Sequence, residues 1–188
     1  MSSQIGSKAA YRKLFSGERG LVRQHFLQLD PDSRRARFGG IVGDPFVRTY
    51  SDRLIGSSSL IYGAFGGERL LGIGELRLDV DSGPARGEIA VSVAESWQDL
   101  GIGSELLSRV LLSARNRFLG HPYLLCQDDN HRMQRIAKKL GADITALGGE
   151  ILAEFKLPLA DHLSLMNEWL GDTKALLAAM RPRPKEQA

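Results

Sequence analysis

Apolar residues recur along the chain with two different periods. Over residues 14–29 the period is helical, with Leu14, Leu21, Val22, Phe26 and Leu29 on one side and Asp30-Pro31 as the stop. A short basic helix follows, capped by Asp32 or Ser33, running to Phe38 and ended by Gly39-Gly40. Asp44-Pro45 reads as an N-cap with proline in the first turn, opening a helix through Phe46, Val47, Tyr50 and Leu54. From Ser59 the pattern becomes strand-like: residues 60–65 and 70–80 are strands joined by Gly66-Gly67, a hairpin signal. A loop over 81–87 leads to 88–94, a run apolar enough for a buried central strand. The pattern then predicts a helix over 104–115, a strand over 123–127, a helix over 130–140 closed by Gly141, and a last strand over 151–157. The first ten residues read as a frayed terminus.

This order of helices, antiparallel strands and then strand–helix–strand–helix–strand predicts an α/β fold. Its sheet is mixed and mostly antiparallel, with helices on both faces. Pro158 marks a boundary between a domain over 1–157 and a C-terminal segment over 158–188. That segment carries an amphipathic helix with Leu163, Met166, Leu170, Leu177 and Met180, then a Pro-rich, basic tail expected to be disordered. Gly171 weakens the helix by about 1 kcal/mol relative to Ala. Its apolar stripe is a candidate seam for a partner or a second copy of the chain, a homodimer through the C-terminal helix.

Composition narrows the function classes. A chain of 188 residues with 43% hydrophobic residues can bury one core without staples. Cys126 is the only cysteine, which excludes a disulfide framework, and with four histidines it cannot supply a cysteine-ligated zinc cluster. No metal is expected. No stretch reaches the apolar length of a membrane helix. The start lacks the apolar core of a signal peptide, so a cytoplasmic protein is expected. The net charge of +3 is spread out, and the clusters Arg34, Arg35, Arg37 and Arg181, Arg183, Lys185 read as solvated faces. Neither nucleic acid nor a membrane is therefore an expected partner.

The segment with chemistry is the central strand, followed by Gln98-Asp99-Leu100-Gly101-Ile102-Gly103-Ser104 and a helix. Two glycines let backbone amides converge at a helix N-terminus, where unpaired N–H groups and the helix dipole suit an anion. No Gly-Lys-Ser/Thr follows, so this is not a Walker loop. The third glycine of a dinucleotide fingerprint is replaced by Leu106. A connector without ligand and an anion-binding regulatory domain stay open on these residues alone.

Gln98-x-x-Gly101-x-Gly103 between a buried strand and an amphipathic helix resembles the acetyl-CoA pyrophosphate loop of the GNAT superfamily of N-acetyltransferases. Asn130, Met133 and Lys138-Lys139-Leu140-Gly141 resemble that superfamily's next block, about thirty residues on, and the resemblance covers 14–157. Within the superfamily the match is most similar to bacterial Pat-type protein-lysine acetyltransferase domains.

The resemblance implies two splayed parallel strands, with the arm of acetyl-CoA lying in the gap against Val91 and Val93. The pyrophosphate would rest on Gln98, Asp99, Gly101, Ile102, Gly103 and Ser104. Asn130 and Met133 would line the arm or acyl region, and Glu88 would be the base for the amine acceptor, a protein lysine or a small molecule. Departures from the pattern are Ala137, where many members carry a tyrosine acid, Asp99-Leu100 within the loop, and Ala142. They keep open an acyl-CoA-binding sensor or subunit without turnover.

Overall fold

Alternating apolar residues and a glycine turn produce the hairpin that starts the sheet. Strands β2 (Ser59–Gly66) and β3 (Arg69–Asp79) pair antiparallel around Gly67, whose φ of 64° lies in the left-handed region that glycine adopts freely. The computed structural model describes residues 9–54, 59–79 and 86–179. Across β3 lies β4 (Arg86–Val93), then β5 (Tyr123–Gln127), β7 (Glu150–Glu154) and β6 (Asp143–Ala146), with β1 (Ala10–Lys13) at the far edge beyond β2. Every neighbouring pair is antiparallel except β4 and β5.

Helices cover both faces. On one side α1 (Arg19–Leu27), α2 (Pro31–Phe38) and α3 (Asp44–Leu54) enclose Val22, Phe26, Val47, Ile61, Phe65 and Ile73. On the other, α4 (Ile102–Arg115) and α5 (His131–Lys139) cover Leu71, Leu76, Ile89, Leu124 and Phe155. The approach of α4 to β3 depends on Gly72 and Gly74. A Cβ at Gly74 would stand 3.0 Å from Val110 Cγ2, and one at Gly72 2.9 Å from the Ser92 carbonyl oxygen.

Several expectations are corrected. The helix expected over 14–29 is shorter, because the Leu14 amide still donates to the Ile61 carbonyl of β2 at 2.9 Å, extending the β1 edge strand. Residues 16–18 form a separate 3-10 turn, and the helix proper runs from Arg19 to Leu27. Helix α2 is capped by Asp30, which accepts from the Ser33 amide at 2.9 Å and puts Pro31 in the first turn; Asp32 and Ser33 lie inside. The last strand ends at Glu154 and is preceded by β6, for which no strand was expected. Strand β4 begins at Arg86, within the expected loop. Residues 1–8, 80–85 and 180–188, which include most of the frayed start, most of that loop and the basic tail, lie outside the described residues.

Helix α6 (His162–Ala179) packs on its own domain by a polar side. Glu168, nearly buried, accepts from Lys13 (2.6 Å), Ser113 (2.6 Å), Asn116 (2.6 Å) and Arg117 (2.9 Å). Asp172 takes a second bond from Lys13 at 2.6 Å, and the Ser164 hydroxyl donates to Asn116 at 2.7 Å. Burial works against the Glu168 carboxylate, but these four donors outweigh it and hold its pKa down to about 2.

Candidate active site

The parallel pair is incomplete. Strands β4 and β5 pair only at Glu88–Tyr123 and Ile89–Leu124, yet the strands run on to Val93 and Gln127. Beyond Ile89 the two diverge. The Ala94 amide donates to the Leu71 carbonyl at 2.9 Å, which fixes the parity of β4 against its antiparallel neighbour. Even-numbered residues bond to β3, so the backbone groups of Val91 and Val93 point into the gap. The Val93 carbonyl accepts from Gln98 Nε2 at 2.9 Å, leaving its N–H for a ligand.

This gap opens into a cavity of about 540 Å³, lined by Val91, Val93, Gln98, Asn130 and Met133 among others. A second cavity of about 260 Å³ lies at the start of α4, lined by Gln98, Asp99, Gly101, Gly103 and Ser104 with Arg132, Arg135 and Lys139. Gln98, Arg132 and Ile136 line both, so the two form one trough from strand gap to helix N-terminus.

The loop between them is held by its own polar groups. Gly101 has φ 82° and Asp99 has φ 58°, both left-handed, and the second is a conformation that a β-carbon disfavours. The Arg132 guanidinium grips the Asp99 carboxylate at 3.0 and 3.1 Å and also donates to Gln98 Oε1. Gln98 Nε2 reaches Ser33 as well, at 2.9 Å, tying the loop to α2.

The proposed residues are therefore not all in one place. Val91, Val93, Gln98, Asn130 and Met133 line the large cavity, while Asp99, Gly101, Gly103 and Ser104 line the small one. Ile102 is buried in the core under α4 and lines neither. Asn130 caps α5, accepting from the Met133 amide at 3.1 Å. Glu88 does not line the cavity; it faces Arg77 across the β3–β4 pair at 3.7 Å, on the sheet face that also carries Ala90 and Ser92. Those two do line the cavity.

The residues missed from sequence are Arg132, Arg135 and Lys139. Their spacing of three and four residues puts three cations on one side of α5, and that helical period is the signal the sequence carries for them. Arg35 is solvated as expected, and from there it borders the cavity and reaches Asp129 at 3.0 Å, joining α2 to the loop after β5. Tyr50 and Tyr62 line neither cavity: Tyr50 bonds Glu75 at 2.7 Å, and Tyr62 bonds Ser113 at 3.0 Å. Cys126 lines the large cavity as a buried thiol. Burial, then the Asp129 and Glu150 carboxylates, push its pKa up to about 11, which keeps it un-ionised.

Arg37, expected on a solvated face, is instead one of the residues lining the cavity, its side chain buried against its partner Glu75, which also accepts from Tyr50. Its guanidinium lies 4.9 to 5.3 Å from the ring centres of Phe38, Tyr50 and Phe26. Among the described residues no group of three or more His, Cys, Asp or Glu is arranged to hold a metal ion.

A family model described as the acetyltransferase (GNAT) family matches residues 27–142, which contain the strand gap, the glycine loop and α5. The chain belongs to the GNAT acetyltransferase family. Its fold is shared with solved GNAT structures at low identity. The GNAT domain of PAT from S. lividans superposes with a TM-score of 0.68 at 18% identity, covering 79% of this chain and 90% of that one. The Paia N-acetyltransferase of Thermoplasma acidophilum, in complex with coenzyme A, gives 0.60 at 16% identity, covering 79% and 99%. Arabidopsis thaliana NAA60, in complex with a bisubstrate analogue, gives 0.60 at 13% identity, covering 81% and 99%. A comparison with curated protein sequences finds no match.

Proposed function

We propose that this GNAT protein is an acetyl-CoA-dependent N-acetyltransferase that transfers directly to an amine. The observation that carries the reading is the run of β4 backbone groups, free of β5 beyond Ile89, that leads into the glycine loop. In this reading Val91 and Val93 hold the pantetheine arm as a neighbouring strand would. The amides of 98–104 take the pyrophosphate at the helix N-terminus, and Arg135 and Lys139 add cations for the phosphates.

Acetyl-CoA supplies an activated thioester. The chain has to supply a neutral amine, because a lysine ammonium, with a pKa near 10.4, carries no lone pair. Glu88 takes that proton, through water, from the face of the sheet it shares with Ala90 and Ser92. The amine nitrogen bonds to the thioester carbon, the carbon–sulfur bond breaks, and the backbone N–H of Val93 steadies the oxyanion between these events. Ala137 offers no acid, so the proton that the nitrogen loses as the amide forms passes through water to the departing thiolate. The lining mixes carboxylates (Asp30, Asp32, Glu95 and Asp129) with guanidiniums (Arg35, Arg37 and Arg132), and the acceptor is an amine, either a protein lysine or a small molecule.

The test is calorimetric titration with acetyl-CoA, followed by turnover on amine acceptors. Wild type binds, and Gly103→Glu does not, since its carboxylate enters the pyrophosphate space beside Ile136. Glu88→Gln keeps binding and loses roughly 10²–10⁴-fold in kcat. A wild type that binds without turnover supports the sensor reading, and one that does not bind ends both.

A further inference from the structure

Helix α6 is amphipathic in the inverted sense. Its polar residues Ser164, Glu168 and Asp172 face the domain and are tied to Lys13, Ser113 and Asn116, with Ala175 buried beside them. Its large apolar residues face away. Leu163 is 73% exposed, Met166 59%, Trp169 66%, Leu170 46% and Leu177 67%. A surface helix ordinarily buries the opposite side.

The outward residues keep a strict seven-residue frame. Leu163, Met166, Leu170, Thr173 and Leu177 occupy successive a and d positions of α6, and Trp169 and Leu176 widen the seam at g. Thr173, the one polar member, bonds the Trp169 and Leu170 carbonyls of its own helix at 3.0 Å, so it requires nothing from a partner. Covering these side chains would remove on the order of 800 Å² per protomer from water, about what each partner contributes to a standard interface. An isolated patch on a monomer is smaller, about 300–600 Å².

We infer that this face is a dimer interface, in which α6 packs against α6 of a second copy of the chain. A heptad seam is complementary to another helix with the same seam. Among the described residues α1, α2, α3, α4 and α5 turn their apolar side chains into the two cores, and α6 is the element that offers a matching seam. An isologous two-fold pair satisfies both copies at once. Two heptads alone form a marginal helix, but the Glu168 network already fixes α6 on the domain, so pairing does not bear the cost of nucleating it. A lipid surface fits less well, because Lys174 is the only lysine or arginine on the helix.

Sedimentation velocity of the full chain across protein concentrations tests this. Wild type sediments as a dimer. Leu163→Glu combined with Leu170→Glu halves the mass, with unchanged far-ultraviolet circular dichroism and unchanged titration by acetyl-CoA. Ile41→Glu, the same chemical change on the exposed α2–α3 loop, stays dimeric. A monomeric wild type at every concentration overturns the inference, as does a dimer that survives the double charge variant or dissociates with Ile41→Glu. Co-sedimentation of a monomer with phosphatidylcholine vesicles through the same leucines also overturns it. Acetyl transfer stands or falls separately, by the titration.

Discussion

His25 Nε2 lies 2.9 Å from Ser92 Oγ, a contact between α1 and the central strand β4 that is sealed from solvent although Ser92 also borders the large cavity. The ring additionally hydrogen-bonds the backbone of Leu70. Burial is the main cause of its low pKa, about 4; the Leu70 bond opposes the shift and the Arg37 charge adds to it. Folded protein therefore holds a neutral imidazole where the unfolded chain would be protonated.

The consequence is a stability that depends on mildly acidic pH. Because the folded pKa lies below the unfolded value, the contribution is complete above about pH 6.5. It is lost as pH falls toward 4, by about 3 kcal/mol. Urea denaturation at a series of pH values measures this slope. His25→Gln, which cannot titrate, flattens it; an equally steep slope in that variant would assign the effect to another group.

Arg37 and Glu75 form a buried pair, and breaking it is costly. Arg37→Met leaves the Glu75 carboxylate uncompensated and destabilises by about 3–5 kcal/mol. Adding Glu75→Leu removes the stranded charge, so the double variant is more stable than Arg37→Met alone. A double-mutant cycle in urea reads the coupling, and additive losses would show that the pair does not act as a unit.

Asp99 combines a left-handed backbone with a carboxylate held by Arg132. Asp99→Gly removes the steric conflict at φ 58°, and frees the guanidinium beside the small cavity. Acetyl-CoA binding is expected to tighten by up to about tenfold, as one charge-assisted contact of about 1.4 kcal/mol would give. Calorimetry checks it, and weaker binding would mean that the Asp99–Arg132 clamp shapes the loop for its ligand.

Gly74 lets α4 lie close on β3. In Gly74→Val the new side chain meets Val110 and Leu106, pushing away the helix whose N-terminus forms the small cavity. Overpacking of this kind costs about 1–3 kcal/mol. A lower urea midpoint together with weaker acetyl-CoA binding is expected; unchanged binding would show that the loop is positioned independently of α4.

Elements with a strong local pattern were legible in the sequence. The β2–β3 hairpin, α4, α5 and the glycine loop each carry their own signal: alternation and a glycine turn, an apolar stripe, or a glycine pair before a helix. Edge strands β1 and β6 were not, because Ala-Tyr-Arg-Lys and Asp-Ile-Thr-Ala become strands only by pairing with β2 and β7. The residues suited to an anion could be named from their order, since the loop and the start of α4 are contiguous.

The sequence by itself thus determined the α/β class, the glycine loop and the apolar stripe of the last helix, all properties of near neighbours along the chain. Tertiary structure alone decided the rest. It stopped the β4–β5 pair at Ile89, set Arg132 on Asp99 from 33 residues away, joined His25 to Ser92 across 67, and turned Glu168 rather than Leu170 toward the domain. The physical reason is that strand divergence and buried polar pairing depend on which distant groups meet once the two cores close, and periodicity records only that a side is apolar, not what will cover it.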